Sequence, residues 1–446
     1  MPDQPNILFF FPDQWRHDWT GFHPELDLRT PHLERLAARG TRFTDVVCPS
    51  PLCAPSRACM ALGVAYDRCP VKSNAQDLPL DRTTLYERLR DAGYHTTGCG
   101  KFDLHKHTYR WGLDGKTDLD AWGFDAGIDN EGKIDAFLGD RKGQRGPYMH
   151  FLAQRGLREA HIEDNDHRGG WATQATPLPE DAYCDNWIGD NGLGLIRAAP
   201  AEKPWFLQVN FTGPHSPWDV TESMKQSVEG RELPPPIHST ASDDPRAIEV
   251  RRNYAAMCEN IDRIVGVYLD ELEQRGELDN TLIVFASDHG EMLIDFDLWG
   301  KLTWRHASAN VPLIVAGPGV AENAVIDAPT ELLDVAGTFL DYAGEVVPED
   351  VDARPLTPVL RGETDRVRDI ITSGLTTPKV DWRMAADDRW KLVVTREETM
   401  LFDRKADADE VNNLANDPAH AETVQRLREY IDPEWLASCR ANDTKA

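Results

Sequence analysis

Apolar residues along this chain come in short solid runs separated by amphipathic stretches. Asn6-Ile7-Leu8-Phe9-Phe10-Phe11, Trp205-Phe206-Leu207-Gln208-Val209-Asn210-Phe211 and residues 281–286 and 311–316 are nearly continuous apolar segments. Runs of this length without alternation predict strands covered on both faces. Helical patterns lie between them. Residues 31–39 put Leu33, Leu36 and Ala37 on one side and stop at Gly40, and residues 83–92 form a helix capped by Asp81 or Thr83 and closed by Gly93. A short strand over 94–98 leads to Gly100-Lys101. A long helix is predicted over 244–274, apolar at Ile248, Ala255, Ile261, Ile264, Val265 and Leu269, and another over 331–344.

Strands alternating with helices predict an α/β fold, a mostly parallel central sheet with helices on both faces. Beyond 349 the pattern changes to short amphipathic strands over 367–373, 382–385 and 391–395, then a helix over 421–430. This predicts a smaller C-terminal antiparallel α+β subdomain, dividing the chain into 1–348 and 349–446. Two units agree with a length of 446 residues, too long for one core. The segment 106–202, rich in Gly, Asp, Trp and Arg and without a clean period, reads as long loops with short helices that wall a pocket.

The charge, 75 acidic against 48 basic residues and −27 net, argues against nucleic acid, whose phosphates are bound by Lys and Arg. No apolar run approaches the roughly 18 residues of a membrane span, so no membrane association is expected. Met1-Pro2-Asp3-Gln4-Pro5 lacks the basic and apolar parts of a secretory leader. The expectation is a cytoplasmic protein, or a periplasmic or secreted one if a leader has been trimmed. Eight cysteines without zinc-ligand spacing read as reduced thiols. Asn210-Phe211-Thr212 fits a glycosylation sequon but ends a buried strand, and is read as structural.

Two of the predicted strands deliver an aspartate at the carboxyl end: Asp13 followed by Gln14, and Asp288 followed by His289. Ligands of open parallel sheets bind at that edge. Two carboxylates, an amide oxygen and an imidazole there suit a hard cation, calcium or magnesium by the oxygens, with the imidazole pulling toward manganese. An aspartate after a strand is also a common helix cap. Cys53, in Leu52-Cys53-Ala54-Pro55-Ser56-Arg57, has two readings as well: a small buried hydrophobe, or a residue placed for chemistry.

The Cys53-Ala54-Pro55-Ser56-Arg57 string resembles the signature of the sulfatase family, formylglycine-dependent hydrolases of the alkaline phosphatase superfamily, and further motifs of that family follow in order. The resemblance implies an alkaline-phosphatase-like sheet, one divalent cation, calcium first, and oxidation of Cys53 to formylglycine by a formylglycine-generating enzyme. It places metal ligands at Asp13, Gln14, Asp288 and His289, with the modified Cys53 facing the metal. It implies hydrolysis of sulfate monoesters through a covalent sulfo-enzyme intermediate. Lys101, and Lys301 in Leu298-Trp299-Gly300-Lys301, match lysines that hold substrate oxygens. His215 in Pro214-His215-Ser216-Pro217 matches the histidine that protonates the leaving group, and Arg57, one helical turn after Cys53, would orient the hydrated aldehyde or else form an ion pair on the helix surface. Arg389-Trp390-Lys391-Leu392-Val393 and Asn413-Leu414-Ala415 resemble the family's closing subdomain.

Gln14 with His289, and Asn74 as a substrate-side asparagine, resemble the related phosphonate monoester hydrolases, whereas Lys101 is a sulfatase choice. A phosphonate monoester or phosphodiester hydrolase on the same scaffold is therefore the competing activity. Asp103 stands where sulfatases usually carry a histidine, so either Asp103 or His105 would serve as base for sulfate release, or bind substrate. A third reading is a catalytically silent binding protein that keeps Cys53 as a thiol. Trp111, Trp122, Trp171 and Trp187, with Arg110, Arg141, Lys142 and Arg145 among them, suit a sulfated carbohydrate, or else anchor loops to the domain.

Overall fold

Each solid apolar run becomes a strand of one eight-stranded sheet in the computed structural model, which describes residues 4–443. Met1, Pro2 and Asp3, read above as lacking a leader, lie outside the described residues. Across the sheet the strands run Ala126–Asp129, His95–Gly100, Trp205–Asn210, Asn6–Phe10, Thr281–Ala286, Leu313–Ala316, Gly40–Phe43 and Ala324–Ile326. Leu313–Ala316 is antiparallel to both neighbours and every other pairing in the sheet is parallel. The sequence pattern placed Leu313–Ala316 among the parallel strands. A strand buried on both faces carries no mark of its direction, so the pattern could not distinguish the two.

Alternate residues of the central strands feed two cores. Leu8, Phe10, Leu207 and Phe285 face the helices Pro31–Ala38, Cys184–Ala198 and Pro245–Gln274. Ile7, Phe9, Phe206 and Val284 face Cys53–Leu62, Leu85–Asp91 and Asp334–Tyr342. No helix among the described residues is long and apolar enough to cross a membrane.

Several elements differ from the sequence reading. Thr84, rather than Asp81 or Thr83, caps Leu85–Asp91 by accepting from the Glu87 amide. The 106–202 segment is more regular than expected. It supplies an edge strand and the helices Lys133–Arg141, Pro147–Gln154, Arg158–His167 and Cys184–Ala198. Ala353, Leu356, Val359 and Leu360, beyond the expected boundary at 349, still pack in the second core.

The smaller sheet is antiparallel: Ile371–Thr376, Asp381–Ala386, Trp390–Thr395 and Thr399–Asp403. Its outer face packs on Leu427 of the helix Ala421–Arg428. Its inner face, with Trp382, Met384 and Val393, packs on Val47 and Leu52 and against Leu302 and Trp304. Those contacts join it to the segment before Cys53 and the one after Lys301.

Candidate active site and metal centre

Parallel strands put their carboxyl ends at one edge, and the predicted residues collect there. Asn6–Phe10 leads to Asp13 and Gln14, Thr281–Ala286 to Asp288 and His289, and His95–Gly100 to Lys101. Gly100 is required at its turn. Its φ is +101°, and an added Cβ would sit 2.0 Å from the Asn210 carbonyl oxygen. Cys53 opens the helix Cys53–Leu62, which ends at left-handed Gly63. Asn74 Oδ1 accepts from the Ala54 amide at 3.1 Å. The side-chain oxygen of Asn74, the residue read as substrate-side, is therefore committed to the first turn of that helix.

Ligand atoms of Asp13, Cys53, Asp288 and His289 lie within 4.8 Å of one another, and all four residues are buried. Cys53 Sγ is 3.3 Å from His289 Nε2, 3.8 Å from Asp13 Oδ1 and 3.1 Å from Lys301 Nζ. His289 Nδ1 faces the Gly290 carbonyl at 3.0 Å. That carbonyl requires an N–H, which leaves the Nε2 lone pair toward the carboxylates. Gln14 is held at φ 72°, a conformation costly for a non-glycine residue. Its amide N–H donates to Asp288 Oδ1 at 3.0 Å and its carbonyl accepts from Tyr254 at 2.6 Å. The side chain is fixed at both ends: Nε2 donates to Glu291, and Oε1 accepts from Lys301.

This donor set fits a divalent cation. Burial, with Asp13 and Cys53 nearby, raises the Asp288 carboxyl despite Arg57 and His289. Burial also pushes the Asp13 carboxyl up, but Lys101, His215, Lys301 and Arg57 outweigh it and hold Asp13 well below the carboxylate range. A cation among these oxygens would relieve the strain that burial imposes on both carboxylates.

Arg57 is spent largely on this framework. Nε donates to Asp288 Oδ2 at 2.8 Å, and Nη1 donates to the Lys101 carbonyl and to Asn210 Oδ1 at 2.7 and 3.0 Å. Its Nη2 is buried and makes no hydrogen bond. Lys101 Nζ pairs with Asp13 and lies 3.1 Å from Asp103. Burial pulls this ammonium down, but Asp103 and Asp13 carry it well above its ordinary value. Asp103 also accepts from Lys106 at 2.9 Å, so it lies one step back from Cys53, behind Lys101. For Cys53, burial and Asp13 push the thiol up; Lys101, Lys301 and His289 more than reverse this and hold it well below its ordinary value.

His105 departs from expectation. It pairs with Asp129 at the end of the edge strand, accepts from the Arg110 amide at 3.1 Å, and packs between Trp111 and Trp122. The carboxylate at that strand end captures the imidazole, and none of these contacts reaches Cys53. His215 remains at the site, half-buried, with Nδ1 toward the Ser216 carbonyl at 2.5 Å. Of the loop tryptophans, Trp171 borders the cavity beside the site, together with Trp218 and Trp299. Trp111 and Trp122 are buried, and Trp187 packs against the core. Arg110, Arg141 and Arg145 pair with Asp118, Asp166 and Asp140, and Lys142 sits over the Tyr109 ring.

Asn210 and Glu291 were not assigned roles from sequence. Asn210 is wholly buried as an Arg57 acceptor. Its place at a strand's carboxyl end was the available signal. Glu291 follows Asp288-His289-Gly290, the same signal at one remove.

A family model described as Sulfatase matches residues 5–345, and one described as N-sulphoglucosamine sulphohydrolase, C-terminal, matches 295–434. A choline-sulfatase of Rhizobium meliloti (strain 1021) is 29% identical, covering 97% of this chain and 87% of that protein. The solved phosphonate monoester hydrolase of Agrobacterium radiobacter aligns with a TM-score of 0.80 at 23% identity, over 98% of this chain and 96% of that one. A structure solved with its substrate D-glucosamine-2-N,6-O-disulfate aligns at 0.77 and 20% identity, over 99% of both chains.

Proposed function

The chain belongs to the sulfatase family and is a sulfuric ester hydrolase, and from that premise we propose that its nucleophile is formylglycine made from Cys53. The maturation partner is a formylglycine-generating enzyme, and one divalent cation is held by Asp13, Gln14, Asp288 and His289. The observation that carries this reading is the place of Cys53 Sγ, buried yet 3.3 Å from His289 Nε2 and 3.1 Å from Lys301 Nζ. A hydrated aldehyde supplies one hydroxyl to attack sulfur, forming a covalent sulfo-enzyme, and a second whose deprotonation expels sulfate. A cation of the calcium type, or manganese or magnesium, would stabilise the peripheral sulfate oxygens.

The chain's own residues do the rest. Lys101, kept charged by Asp103 and Asp13, and Lys301 stand beside the reacting position and offset charge on the sulfate oxygens. Arg57 has one unused donor, Nη2, with which to orient the nucleophile. His215 has its Nδ1 side engaged by the Ser216 carbonyl, which leaves Nε2 to deliver a proton to the bridging oxygen. A sulfated carbohydrate is the substrate class, supported by the disulfated sugar in one structural relative and by the tryptophan-lined cavity.

The second reading, phosphonate monoester hydrolysis, is favoured by Gln14 and His289 among the ligands. Peptide mass spectrometry after co-expression with the maturation enzyme, followed by parallel assays on aryl sulfate, phosphate monoester, phosphodiester and phosphonate monoester, tests both. An aldehyde at Cys53 and fastest turnover of sulfate are expected. Unmodified Cys53 in active protein would end the aldehyde reading, and sulfate turnover at or below the phosphonate rate would reverse the order of the two activities.

A further inference from the structure

His215 stands on the turn that leaves the strand Trp205–Asn210, and a side chain from another element holds that turn. Asp185, in the first turn of the helix Cys184–Ala198, is wholly buried. Its Oδ1 accepts from the Thr212 amide at 2.7 Å, from the Thr212 hydroxyl at 2.9 Å and from the Gly213 amide at 3.1 Å, and its Oδ2 accepts from the Gly213 amide at 3.1 Å. On the far side of the turn the Gly213 carbonyl accepts from the Asp13 amide at 3.1 Å, and Asp13 and Pro214 form a parallel bridge. The turn is therefore clamped between Asp185 and Asp13.

A carboxylate buried without a cation is costly. Among the described residues none forms an ion pair with Asp185, and Lys133, whose charge reaches it, is paired with Asp219. Burial raises the Asp185 carboxyl above its ordinary value despite Lys133 and the hydrogen bonds from Gly213 and Thr212. The start of a helix favours a negative charge, but none of these bonds comes from an amide of its own helix. What Asp185 restrains accounts for the cost. Gly213 must be glycine, since an added Cβ would sit 2.4 Å from Asp185 Oδ2, and glycine is the residue with the freest backbone. Two carboxylate contacts on its N–H remove that freedom. Beyond it, Pro214 and Pro217 fix φ on either side of His215 and Ser216. The orientation of the Gly213 peptide thus reaches His215 through few soft torsions.

We propose that Asp185 is a positioning residue for the reaction, setting through Thr212 and Gly213 where His215 delivers its proton. The inference rests on the reading of His215 as the acid that protonates the leaving group. Asp185 acts only through the turn and has no part in bond breaking. Proton delivery matters most when the departing alcohol is a poor leaving group. A displaced His215 therefore slows an ester with a basic leaving group more than one with an activated leaving group.

The test compares the mature wild type, Asp185→Asn, His215→Ala and the double variant on phenyl sulfate and 4-nitrophenyl sulfate, whose leaving groups differ in basicity and little in shape. The ratio of kcat/KM on phenyl sulfate to that on 4-nitrophenyl sulfate is expected to fall about tenfold in Asp185→Asn and at least as far in His215→Ala, with no further fall in the double variant. Both esters are read on one preparation, so losses of folded, matured or metal-loaded enzyme cancel. A ratio unchanged within about threefold in Asp185→Asn while His215→Ala lowers it overturns the proposal, as does a fall that persists in the His215→Ala background. If Asp185→Asn does not fold, Thr212→Val, which removes the hydroxyl donor alone, must lower the ratio by about threefold or the proposal falls. If His215→Ala leaves the ratio unchanged, or the wild type turns over no sulfate ester, the reading of His215 or the sulfatase reading itself has failed. Position is then read by NMR of selectively histidine-labelled protein. The His215 ring signal, assigned by its loss in His215→Ala, must shift in Asp185→Asn or the proposal falls.

Discussion

Gln14 Nε2 donates to Glu291, and that contact fixes the amide with Oε1 toward Lys301. Glu291 is itself anchored, its other oxygen accepting from the Leu293 and Gly300 amides at 3.0 and 2.6 Å. It is a positioning residue. Glu291→Ala is expected to weaken calcium or manganese binding by about 10- to 100-fold, the usual cost of losing a partner behind a metal ligand. Calorimetric titration of chelator-stripped protein reads this, and saturating metal should restore most of kcat. A lower thermal midpoint with unchanged metal affinity would reduce Glu291 to packing. At Cys53 the number of hydroxyls on one carbon decides turnover. Serine has one, enough to attack sulfur but not to expel sulfate. Cys53→Ser is expected to lose turnover by roughly 10³-fold or more, while one sulfated serine per chain accumulates in the intact mass. Sustained turnover by that variant would refute the second hydroxyl's role.

The strands that carry the site were legible as elements because a short, unbroken apolar run between turn residues fits little besides a strand covered on both faces. The Cys184–Ala198 helix was not, because Gly189, Gly192 and Gly194 read as loop. The structure shows why two of them are there: a Cβ at Gly192 would sit 2.0 Å from the Tyr268 hydroxyl, and one at Gly189 2.8 Å from Ile264. These glycines let two helices approach closely, which a single sequence does not display. Asn210 was obscured similarly, since its partner Arg57 lies 153 residues away. The small C-terminal sheet was legible as a separate element, but its bearing on the site was not. Trp382 Nε1 donates to the Leu302 carbonyl at 3.0 Å, and Leu302, at φ 82°, directly follows Lys301. Trp382→Phe keeps most of the packing and removes that donor, at about 1–2 kcal/mol. With Lys301 less firmly held, kcat should fall by about tenfold while the thermal midpoint moves only a few degrees. Leu427→Ala on the sheet's outer face is the contrast, lowering the midpoint with kcat per folded molecule preserved. Equal kcat losses in the two variants would show that the sheet contributes stability alone.

For the whole molecule, burial of ionisable groups sets how stability responds to pH. Glu131 accepts from the Tyr148 and Met149 amides at 3.0 and 3.4 Å, and burial pushes its carboxyl up to about 7. Asp262, accepting from the His32 and Leu33 amides at the head of Pro31–Ala38, is likewise raised by burial to about 7. Unfolded, both titrate near 4. Between those values the native state keeps protons that the unfolded chain has released, so stability falls as pH rises. Surface carboxylates are already ionised at pH 6, so the net charge of −27 adds little slope above it. His17, lowered to about 4 chiefly by burial, is neutral in the native state while the unfolded imidazole still titrates at about 6.5, so it opposes this slope, as do His161 and His306, also lowered chiefly by burial. Each raised carboxyl should therefore lower stability by about 1 kcal/mol between pH 6 and pH 8, against the opposing rise from these histidines. Asp262→Asn keeps one acceptor for the two amides and removes the titration, so between pH 6 and pH 8, by thermal midpoint at fixed scan rate and metal concentration, it should gain roughly that amount of stability relative to the wild type. A difference between wild type and Asp262→Asn that stays constant from pH 6 to pH 8 would show that this carboxyl does not couple folding to protons.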